Sequence, residues 1–365
     1  MSDKIRLGMV GGGQGAFIGG VHRIAARIDA RFELVAGALS SDPARAASSA
    51  REIGLARSYS DFSEMACAEA ARADGIQAVA IVTPNHLHFA PAKAFLEAGI
   101  HVICDKPMTA TLSEAKALVE IADKSAALFI LTHTYAGYPM VREARRYVSE
   151  GILGNIRVVQ VEYVQDWLTG ETESKQAAWR LNPTLSGGGA IGDIGTHAAH
   201  LARFVSGLPI TSVAADIQSF VPGRDVDDNC HILMRMGTTV RGMLWASQVA
   251  PGFDNDLRIR VIGDTGSLEW FHKTAEELRL TQLGTPTQIL TRGGAGFQGR
   301  TRVPSGHPEG YLEAFANLYS DAADAIEAGA MPKGLPNAQD GLDGLQFINA
   351  VQRSHASGGV WTPLL

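Results

Sequence analysis

Residues 4–20 read KIRLGMVGGGQGAFIGG, and this stretch decides the fold of the first part of the chain. A short apolar run ends in a cluster of glycines, and a helical pattern follows over residues 21–28. Glycines let the backbone approach a pyrophosphate closely, and the free N–H groups of the following helix favour its negative charge. Gly11, Gly13 and Ala16 match the fingerprint G-x-G-x-x-A. Residues 17–20 depart from it, so a longer or distorted turn is expected.

Two more strand candidates extend this start into a nucleotide-binding domain. Residues 32–39 and 78–82 are apolar runs, and helical segments separate them. This β-α-β-α-β order predicts an α/β fold, a Rossmann domain with a doubly wound parallel sheet, over residues 1–132. The glycine turn supplies the first group of predicted cofactor contacts, which are Gly11, Gly13, Gln14, Gly15, Ala16, Phe17 and Ile18.

The remainder of the chain, residues 133–365, has a different pattern. Its strand candidates are longer, follow one another directly and partly alternate apolar and polar residues. We therefore expect an α+β domain on an open, mostly antiparallel sheet, for substrate binding and oligomerisation. The apolar strands at residues 158–164 and 243–249 predict burial of one sheet face in a homodimer or homotetramer. Trp245, in the second of these strands, is expected in the core.

The composition argues against several classes of protein. The chain has 365 residues, is 45% hydrophobic and carries a net charge of −6. This balance offers no positive surface for nucleic acid or a membrane. The first strand begins soon after Met1, which leaves no room for a signal peptide, and no apolar run is long enough to span a bilayer. The three cysteines lack C-x-x-C spacing, so we expect reduced, mostly packing cysteines in a cytoplasmic protein.

Two strand ends carry polar residues suited to a cofactor crevice. One strand runs into TPNHLH (residues 83–88) and the next into DKP (residues 105–107). Ligands of open parallel sheets lie beyond the carboxyl ends of the strands. We therefore expect cofactor contacts from Thr83, Pro84, Asn85, His88, Asp105, Lys106 and Pro107.

The segment GGGAIGDIGTH (residues 187–197) sets Asp193 and His197 four residues apart behind three glycines. On a helix this spacing puts both side chains on one face. A carboxylate there orients an imidazole and holds its proton affinity near neutrality, as proton removal from a hydroxyl requires. A polar helix start with a satisfied histidine would give the same pattern.

Together these motifs resemble the Gfo/Idh/MocA family of NAD(P)-dependent oxidoreductases. The resemblance runs from about residue 5 to His197, includes residues 138–160, and continues more weakly in HPEGYLEAFANLY (residues 307–319). It implies a catalytic lysine, aspartate and histidine, which fall on Lys106, Asp193 and His197. Asp105 stands where the family commonly has glutamate. Residues 136–137 replace a stretch in which many members carry an arginine, so substrate preference does not transfer.

The family resemblance also implies a mechanism without a metal ion. Asp193, His197 and His200 have a ligand-like spacing, but no Cys or Glu cluster completes a coordination shell nearby. We therefore predict no metal site.

Oxidation of a secondary alcohol defines the expected roles. It needs a base, a nicotinamide beside the carbon that loses hydride, and a positive group for the developing alkoxide. His197 is the candidate base, oriented by Asp193, and Lys106 is the alkoxide partner, although a lysine of lowered pKa can itself be the base. The predicted substrate is a sugar, sugar derivative or cyclitol, contacted by Lys106, Tyr138, Asp166, Trp167, Trp179, Arg180, Asp193 and His197.

The sequence leaves two other functions open. One is a glycoside-cleaving enzyme that oxidises a ring hydroxyl only transiently with bound NAD. The other is a non-catalytic dinucleotide-binding regulator. The presence of Lys106, Asp193 and His197 together argues against the regulator.

The end of the second strand, AGALSSDPAR (residues 36–45), bears on the choice of cofactor. An acidic residue there binds the adenosine ribose of NAD and repels the extra phosphate of NADP. Ser40 stands where relatives often have that acid, and Ser40, Ser41 and Arg45 suit a phosphate. Asp42 is the competing ribose acceptor. Both NAD and NADP stay open, with a slight preference for NAD.

Overall fold

The computed structural model describes residues 4–170 and 188–365 and divides into two compact units. The first comprises the residues up to Gly137 together with Tyr311–Leu342, and the second comprises Tyr138–Gly310 and Asp343–Leu365. The sequence placed the boundary at residue 132 and assigned all of residues 133–365 to the second domain. The structure differs because the segment Tyr311–Leu342 returns to the first unit.

The first unit is a Rossmann fold, as the sequence predicts. Its strands are β1 (Ile5–Gly11), β2 (Phe32–Ala38), β3 (Arg57–Ser58), β4 (Ala78–Val82), β5 (His101–Cys104) and β6 (Phe129–Leu131). They form a parallel sheet in the order β3-β2-β1-β4-β5-β6. The helices are α1 (Phe17–Ile28), α2 (Pro43–Glu52), α3 (Phe62–Ala70), α4 (Phe89–Glu97) and α5 (Leu112–Lys124), with short 3₁₀ turns at Asn85–Leu87 and Thr134–Gly137. The sheet order reverses beside β1, where such folds bind dinucleotides.

Packing explains why a late segment belongs to this unit. Helix Tyr311–Ala328 lies against α1, and the buried His22 ring is 5.1 Å from Phe315 and 5.8 Å from Tyr319, measured between ring centroids. Gly137 permits the close approach, since a Cβ there would lie 2.0 Å from the carbonyl oxygen of Ala314. Phe315 and Tyr319 therefore complete the apolar core of the first unit.

The second unit contains the open sheet that the sequence predicts. Its strands are β7 (Ile156–Val164), β8 (Ile210–Gln218), β9 (Asn229–Met236), β10 (Val240–Ser247), β11 (Asp256–Gly263), β12 (Gly266–Phe271), β13 (Glu277–Gln282), β14 (Gln288–Thr291) and β15 (Thr362–Pro363). They pair in the order β14-β13-β12-β11-β7-β10-β9-β8-β15, antiparallel except for β7 beside β10.

The helices of the second half of the chain are α6 (Pro139–Ser149), a π-helical segment (Ile191–Gly195), α7 (Thr196–Ser206), α8 (Tyr311–Ala328) and α9 (Ala338–Ala356), and a 3₁₀ turn spans His272–Thr274. Helix α8 lies in the first unit, and α9 begins there and ends in the second. Within the described ranges 4–170 and 188–365, no helix combines the length and the apolar character needed to cross a membrane.

The two faces of the second sheet differ in burial. Helix α7 packs on β7, where Val159, Val161 and Tyr163 are buried. On β9 and β10, Leu233 and Met243 are each 51% exposed and line a cavity on the uncovered face. Trp245 also lines this face and stacks on His231, with 5.9 Å between ring centroids, so its expected place in the core is wrong.

Candidate active site

The turn between β1 and α1 requires glycine at several positions. Gly11, Gly12 and Gly15 have φ angles of +78°, +72° and +76°, a region that other residues rarely adopt. A Cβ on Gly19 would lie 2.4 Å from the Cα of Gly12, so this pair lets α1 pack closely on the turn. Helix α1 begins at Phe17, and residues 17–20 are therefore helical rather than the longer turn expected from the sequence.

A cavity of about 320 Å³ adjoins this turn and suits the phosphates of a dinucleotide. Ala16, the N-cap residue of α1, makes no side-chain cap, so the first N–H groups of the helix are not capped by it. The Arg23 guanidinium also lines the cavity and donates to the Gly12 carbonyl at 2.7 Å. Burial lowers the pKa of Arg23. Helix N–H groups and a cation together fit the diphosphate of NAD(P).

Helix α2 closes the other side of this cavity. Gln14 donates its backbone N–H to Ser49 Oγ at 3.2 Å and its side-chain amide to Glu52 Oε2 at 2.9 Å. Ser49, Glu52 and Arg23 line the same cavity as Gly13, Gln14, Gly15, Ala16 and Phe17. The sequence did not single out these three residues, because they belong to helices that no fingerprint covers.

The end of the second strand holds the residues considered for cofactor choice. Asp42 Oδ1 accepts the backbone N–H of Arg45 at 2.7 Å, and Pro43 occupies the first turn, so Asp42 is the N-cap of α2. Ser40 Oγ accepts the N–H of Asp42 at 3.2 Å. Ser41 and Asp42 are exposed. One carboxylate oxygen of Asp42 is thus committed to the helix.

His88 links two strand-end loops from inside the first unit. Its Nδ1 lies 2.8 Å from the Pro107 carbonyl and its Nε2 lies 2.8 Å from the Thr83 carbonyl. The side chain is fully buried, and burial lowers its pKa against the opposing effects of Asp105 and the two carbonyls. The imidazole is enclosed and lies against backbone carbonyls, and the cofactor contact assigned to His88 stays a prediction. Thr83 Oγ1 donates to the Leu87 carbonyl at 3.1 Å, and Asn85 is buried in the 3₁₀ turn.

Asp105, directly before Lys106, faces inward as well. Thr132 Oγ1 donates to its Oδ1 at 2.9 Å, and His22 Nε2 lies 3.7 Å from the same oxygen. His22 Nδ1 in turn lies 2.9 Å from the Tyr319 hydroxyl. Burial raises the pKa of Asp105, but His22 and Lys106 outweigh it and hold the pKa below its usual value. The carboxylate thus anchors the strand end that presents Lys106.

In the second unit, Asp193 and His197 lie at the junction of two helix types. Asp193 is in the π-helical segment, and His197 is the second residue of α7, 7% exposed, with its ring 6.1 Å from that of Tyr163. The sequence predicted that both side chains share one face of a helix, without indicating the π-helical segment. Single π turns occur frequently at functional sites.

Two residues from distant segments hold this junction. The Asp227 carboxylate accepts the N–H groups of Gly189 at 2.8 Å and Ile191 at 2.7 Å. The Gln248 side-chain amide donates to Asp193 Oδ2 at 3.0 Å. Neither residue was predicted, because each meets the motif through a contact between segments far apart in the chain.

The predicted substrate residues have different environments. Tyr138 is buried, its hydroxyl lies 3.0 Å from His272 Nε2 and its ring packs on Trp270. The predicted contact of Tyr138 with substrate stays a prediction. Asp166 Oδ2 accepts the N–H of Gly252, and Trp167 Nε1 donates to Gln165 at 2.9 Å; both side chains are half-buried. Trp179 and Arg180 lie outside the described residues, as does Gly187.

Among residues 4–170 and 188–365, no group of three His, Cys, Asp or Glu side chains is arranged to hold a metal ion. His200 stacks on Phe204 with 5.8 Å between ring centroids, and burial sets its pKa well below the usual value. Cys104 and Cys230 are buried and Cys67 is exposed, and all three are unpaired.

Known protein families match both the first and the second part of the chain. Residues 5–133 match the oxidoreductase family with an NAD-binding Rossmann fold, and residues 141–269 match the GFO/IDH/MocA C-terminal domain. The structure of an oxidoreductase from Sinorhizobium meliloti is 54% identical, with a TM-score of 0.91 and 99% coverage of both chains.

Two further relatives are described by the molecules they act on or bind. An inositol dehydrogenase homolog from Azotobacter vinelandii, solved with NADH and myo-inositol, is 37% identical, with a TM-score of 0.92 over 100% of this chain and 98% of that one. Levoglucosan dehydrogenase from Pseudarthrobacter phenanthrenivorans is 30% identical over 76% of each chain. The protein is thus an NAD(P)-dependent oxidoreductase, and the chain belongs to the Gfo/Idh/MocA family.

Proposed function

We propose that this enzyme oxidises a secondary hydroxyl of a cyclitol, a sugar or a related anhydrosugar, or reduces the corresponding ketone. The main support is the full-length similarity to the inositol dehydrogenase homolog that binds NADH and myo-inositol. The similarity to levoglucosan dehydrogenase widens the substrate class to anhydrosugars. The relatives named above are described as dehydrogenases or oxidoreductases, so neither the glycoside-cleaving function nor the non-catalytic regulator gains support.

His197 is the proposed base for the substrate hydroxyl. Its imidazole is largely buried, and the preceding π-helical segment carries Asp193, the proposed orienting carboxylate. A carboxylate bonded to one imidazole nitrogen fixes the tautomer and stabilises the imidazolium. His197 then removes the hydroxyl proton while the bound nicotinamide supplies hydride-accepting capacity.

Lys106 is the proposed partner of the developing alkoxide. A positive group at that oxygen stabilises charge that appears only in the transition state. Asp105 lies directly before it and is held by Thr132 and His22, which fixes the backbone from which the lysine extends. Lys106 as the base is the alternative. The two assignments differ in the pH dependence of turnover that they predict.

Other residues singled out from the sequence are proposed to bind the substrate or the cofactor. We assign Asp166, Trp167, Trp179 and Arg180 to substrate binding, and Gly11, Gly13, Gln14, Gly15, Ala16, Phe17, Ile18, Thr83, Pro84, Asn85 and Pro107 to the cofactor. NAD is the proposed preferred cofactor. Assembly as a homodimer or homotetramer through the uncovered sheet face is also part of the proposal, and cytoplasmic location stays a prediction.

A substrate panel tests the proposal. Purified protein is incubated with NAD⁺ or NADP⁺ and with myo-inositol, levoglucosan, D-xylose or a non-carbohydrate secondary alcohol, and the nicotinamide absorbance is followed. We expect turnover with at least one polyhydroxylated ring and none with the simple alcohol. Reduction of cofactor by the simple alcohol alone would contradict the proposed substrate class.

A further inference from the structure

Gln248 contacts the helical segment that carries the proposed catalytic residues, and no sequence motif predicted this contact. It follows β10 directly and is 2% exposed, and its amide nitrogen donates to Asp193 Oδ2 at 3.0 Å. A buried amide donor beside a carboxylate favours the ionised form of that carboxylate and fixes its orientation. Gln248 therefore acts on the group proposed to orient His197.

The backbone of Gln248 is held on both sides. Its N–H donates to the Asp228 carbonyl at 2.8 Å, and its carbonyl accepts the N–H of Leu168 at 3.1 Å. The Asp228 side chain is fully buried and accepts the N–H groups of Phe220 and Val221. The amide is thus presented from a rigid position rather than from a mobile loop.

Asp227, which directly precedes Asp228, holds the start of the π-helical segment that carries Asp193. Its carboxylate accepts the N–H groups of Gly189 and Ile191, and its carbonyl accepts the N–H of Ala190 at 2.9 Å. A Cβ on Gly189 would lie 1.8 Å from the Asp227 carbonyl oxygen, which explains the glycine. Two consecutive residues, Asp227 and Asp228, therefore set the register between the π-helical segment and Gln248.

We propose that Gln248 is a positioning residue, which holds the Asp193 carboxylate ionised and directed toward His197. This inference rests on the proposed function, because it assumes that Asp193 orients His197. Gln248 itself transfers no proton, since an amide donates a hydrogen bond without ionising at ordinary pH.

Histidine titration tests this inference without a known substrate. The pKa of His197 is measured by NMR of the full-length protein with labelled histidine, and the His197 signal is identified by its loss in His197→Asn. Other titratable or charged groups on and around this helix include Tyr163 of β7, His200 and Arg203 of α7, Asp343, which pairs with Arg203, and Arg145 of α6. All of these are unchanged in every variant.

Three variants distinguish positioning from general damage. Gln248→Met keeps the volume but removes the donor, so the carboxylate loses its orientation and the His197 pKa falls. Gln248→Glu places a second carboxyl beside Asp193. Because two carboxylates at this distance cannot both ionise, the pair shares a proton, keeps a donor to Asp193 and should leave the His197 pKa near the wild-type value. Gln248→Asn keeps the amide but shortens its reach, and should fall between wild type and Gln248→Met. The matched control is Gln218→Met, an exposed glutamine at the end of β8, which should leave the pKa unchanged.

A lowered His197 pKa in Gln248→Met together with a near wild-type value in Gln248→Glu supports the inference, because a purely structural defect would move both variants the same way. Asp193→Asn is the reference and should lower the His197 pKa. If Asp193→Asn has no effect, the proposed role of Asp193 fails. If Asp193→Asn lowers the pKa and Gln248→Met leaves it unchanged, or lowers it no more than Gln248→Glu does, the inference about Gln248 fails alone. With any substrate that turns over, Gln248→Met should also lower kcat by about 10–100-fold, with unchanged KM for the dinucleotide.

Discussion

At the scale of single residues, the sequence identified side chains that carry recognisable chemistry and missed those that act through distant contacts. Lys106, Asp193 and His197 stand in short motifs with defined spacing. Gln248 contacts Asp193 across 55 residues of chain, and no local pattern distinguishes it from other glutamines. The position of His88 after a strand predicted a ligand contact, and in the structure both of its ring nitrogens lie against backbone carbonyls, which the sequence did not indicate.

Replacing either proposed catalytic residue should abolish most turnover. We expect Lys106→Met and His197→Ala each to reduce kcat by about a hundredfold or more, because both groups act in the transition state. Dinucleotide affinity, measured by titration, should stay close to wild type. Near-normal turnover in either variant would remove the role assigned to that residue. If Lys106 is the base, the limb of the pH profile attributed to proton removal disappears in Lys106→Met and persists in His197→Ala.

Asp42→Ala tests cofactor choice at the end of the second strand. If Asp42 binds the ribose, NAD affinity should weaken by about 1–3 kcal/mol. Loss of the N-cap lowers stability as well, by about 1 kcal/mol, so binding is measured well below the unfolding temperature. Unchanged NAD affinity would leave Ser40, Ser41 and Arg45 as the residues that read this end of the cofactor. Asp61→Ala, which removes the N-cap of α3, is the matched control for helix capping.

At the scale of elements, periodicity predicted both sheets but not the details of helix starts. The apolar runs of β1, β2 and β4 and the glycine turn determine the parallel sheet, because buried parallel strands are continuous in hydrophobicity. The start of α1 at Phe17 could not be inferred, since Gly19 and Gly20 disfavour helix locally. Tertiary contact of Gly19 with Gly12 overrides this preference. The π-helical segment likewise depends on Asp227, which lies 36 residues from Ile191.

The carboxylate at the end of β5 should make stability depend on pH. The pKa of Asp105 is lower in the folded protein than in the unfolded chain, so its contribution is present above the ordinary aspartate pKa of about 3.9. That contribution is lost as the pH falls through the lower, folded value. We therefore expect Asp105→Asn to be less stable than wild type at neutral pH, with the difference shrinking in acid. Urea unfolding across pH measures it, and the exposed Asp123→Asn is the control. A difference that does not change with pH would contradict this account.

At the scale of the whole molecule, the uncovered face of the second sheet predicts self-association. Leu233 and Met243 lie on this face, and Trp245 and His231 stack beside them. Exposed apolar surfaces of this kind commonly form subunit interfaces. Light scattering at micromolar concentration should therefore give a dimer or tetramer. Leu233→Lys with Met243→Lys should dissociate it, whereas Leu283→Lys, at an 82% exposed turn position, should not. A monomeric wild type would contradict the prediction.

The return of Tyr311–Leu342 to the first unit has a consequence during synthesis on the ribosome. The six strands of the Rossmann sheet are translated before residue 137, but Phe315 and Tyr319, which cover His22 and complete the core, emerge roughly two hundred residues later. At elongation rates of about 5–20 residues per second, this last helix is made about 10–40 s after the strands of the first unit. During that interval the face of α1 that packs on Phe315 and Tyr319 lacks this partner. We therefore expect the nascent chain to be prone to aggregation and to bind chaperones. A fragment ending at Gly137 would keep that exposed surface permanently.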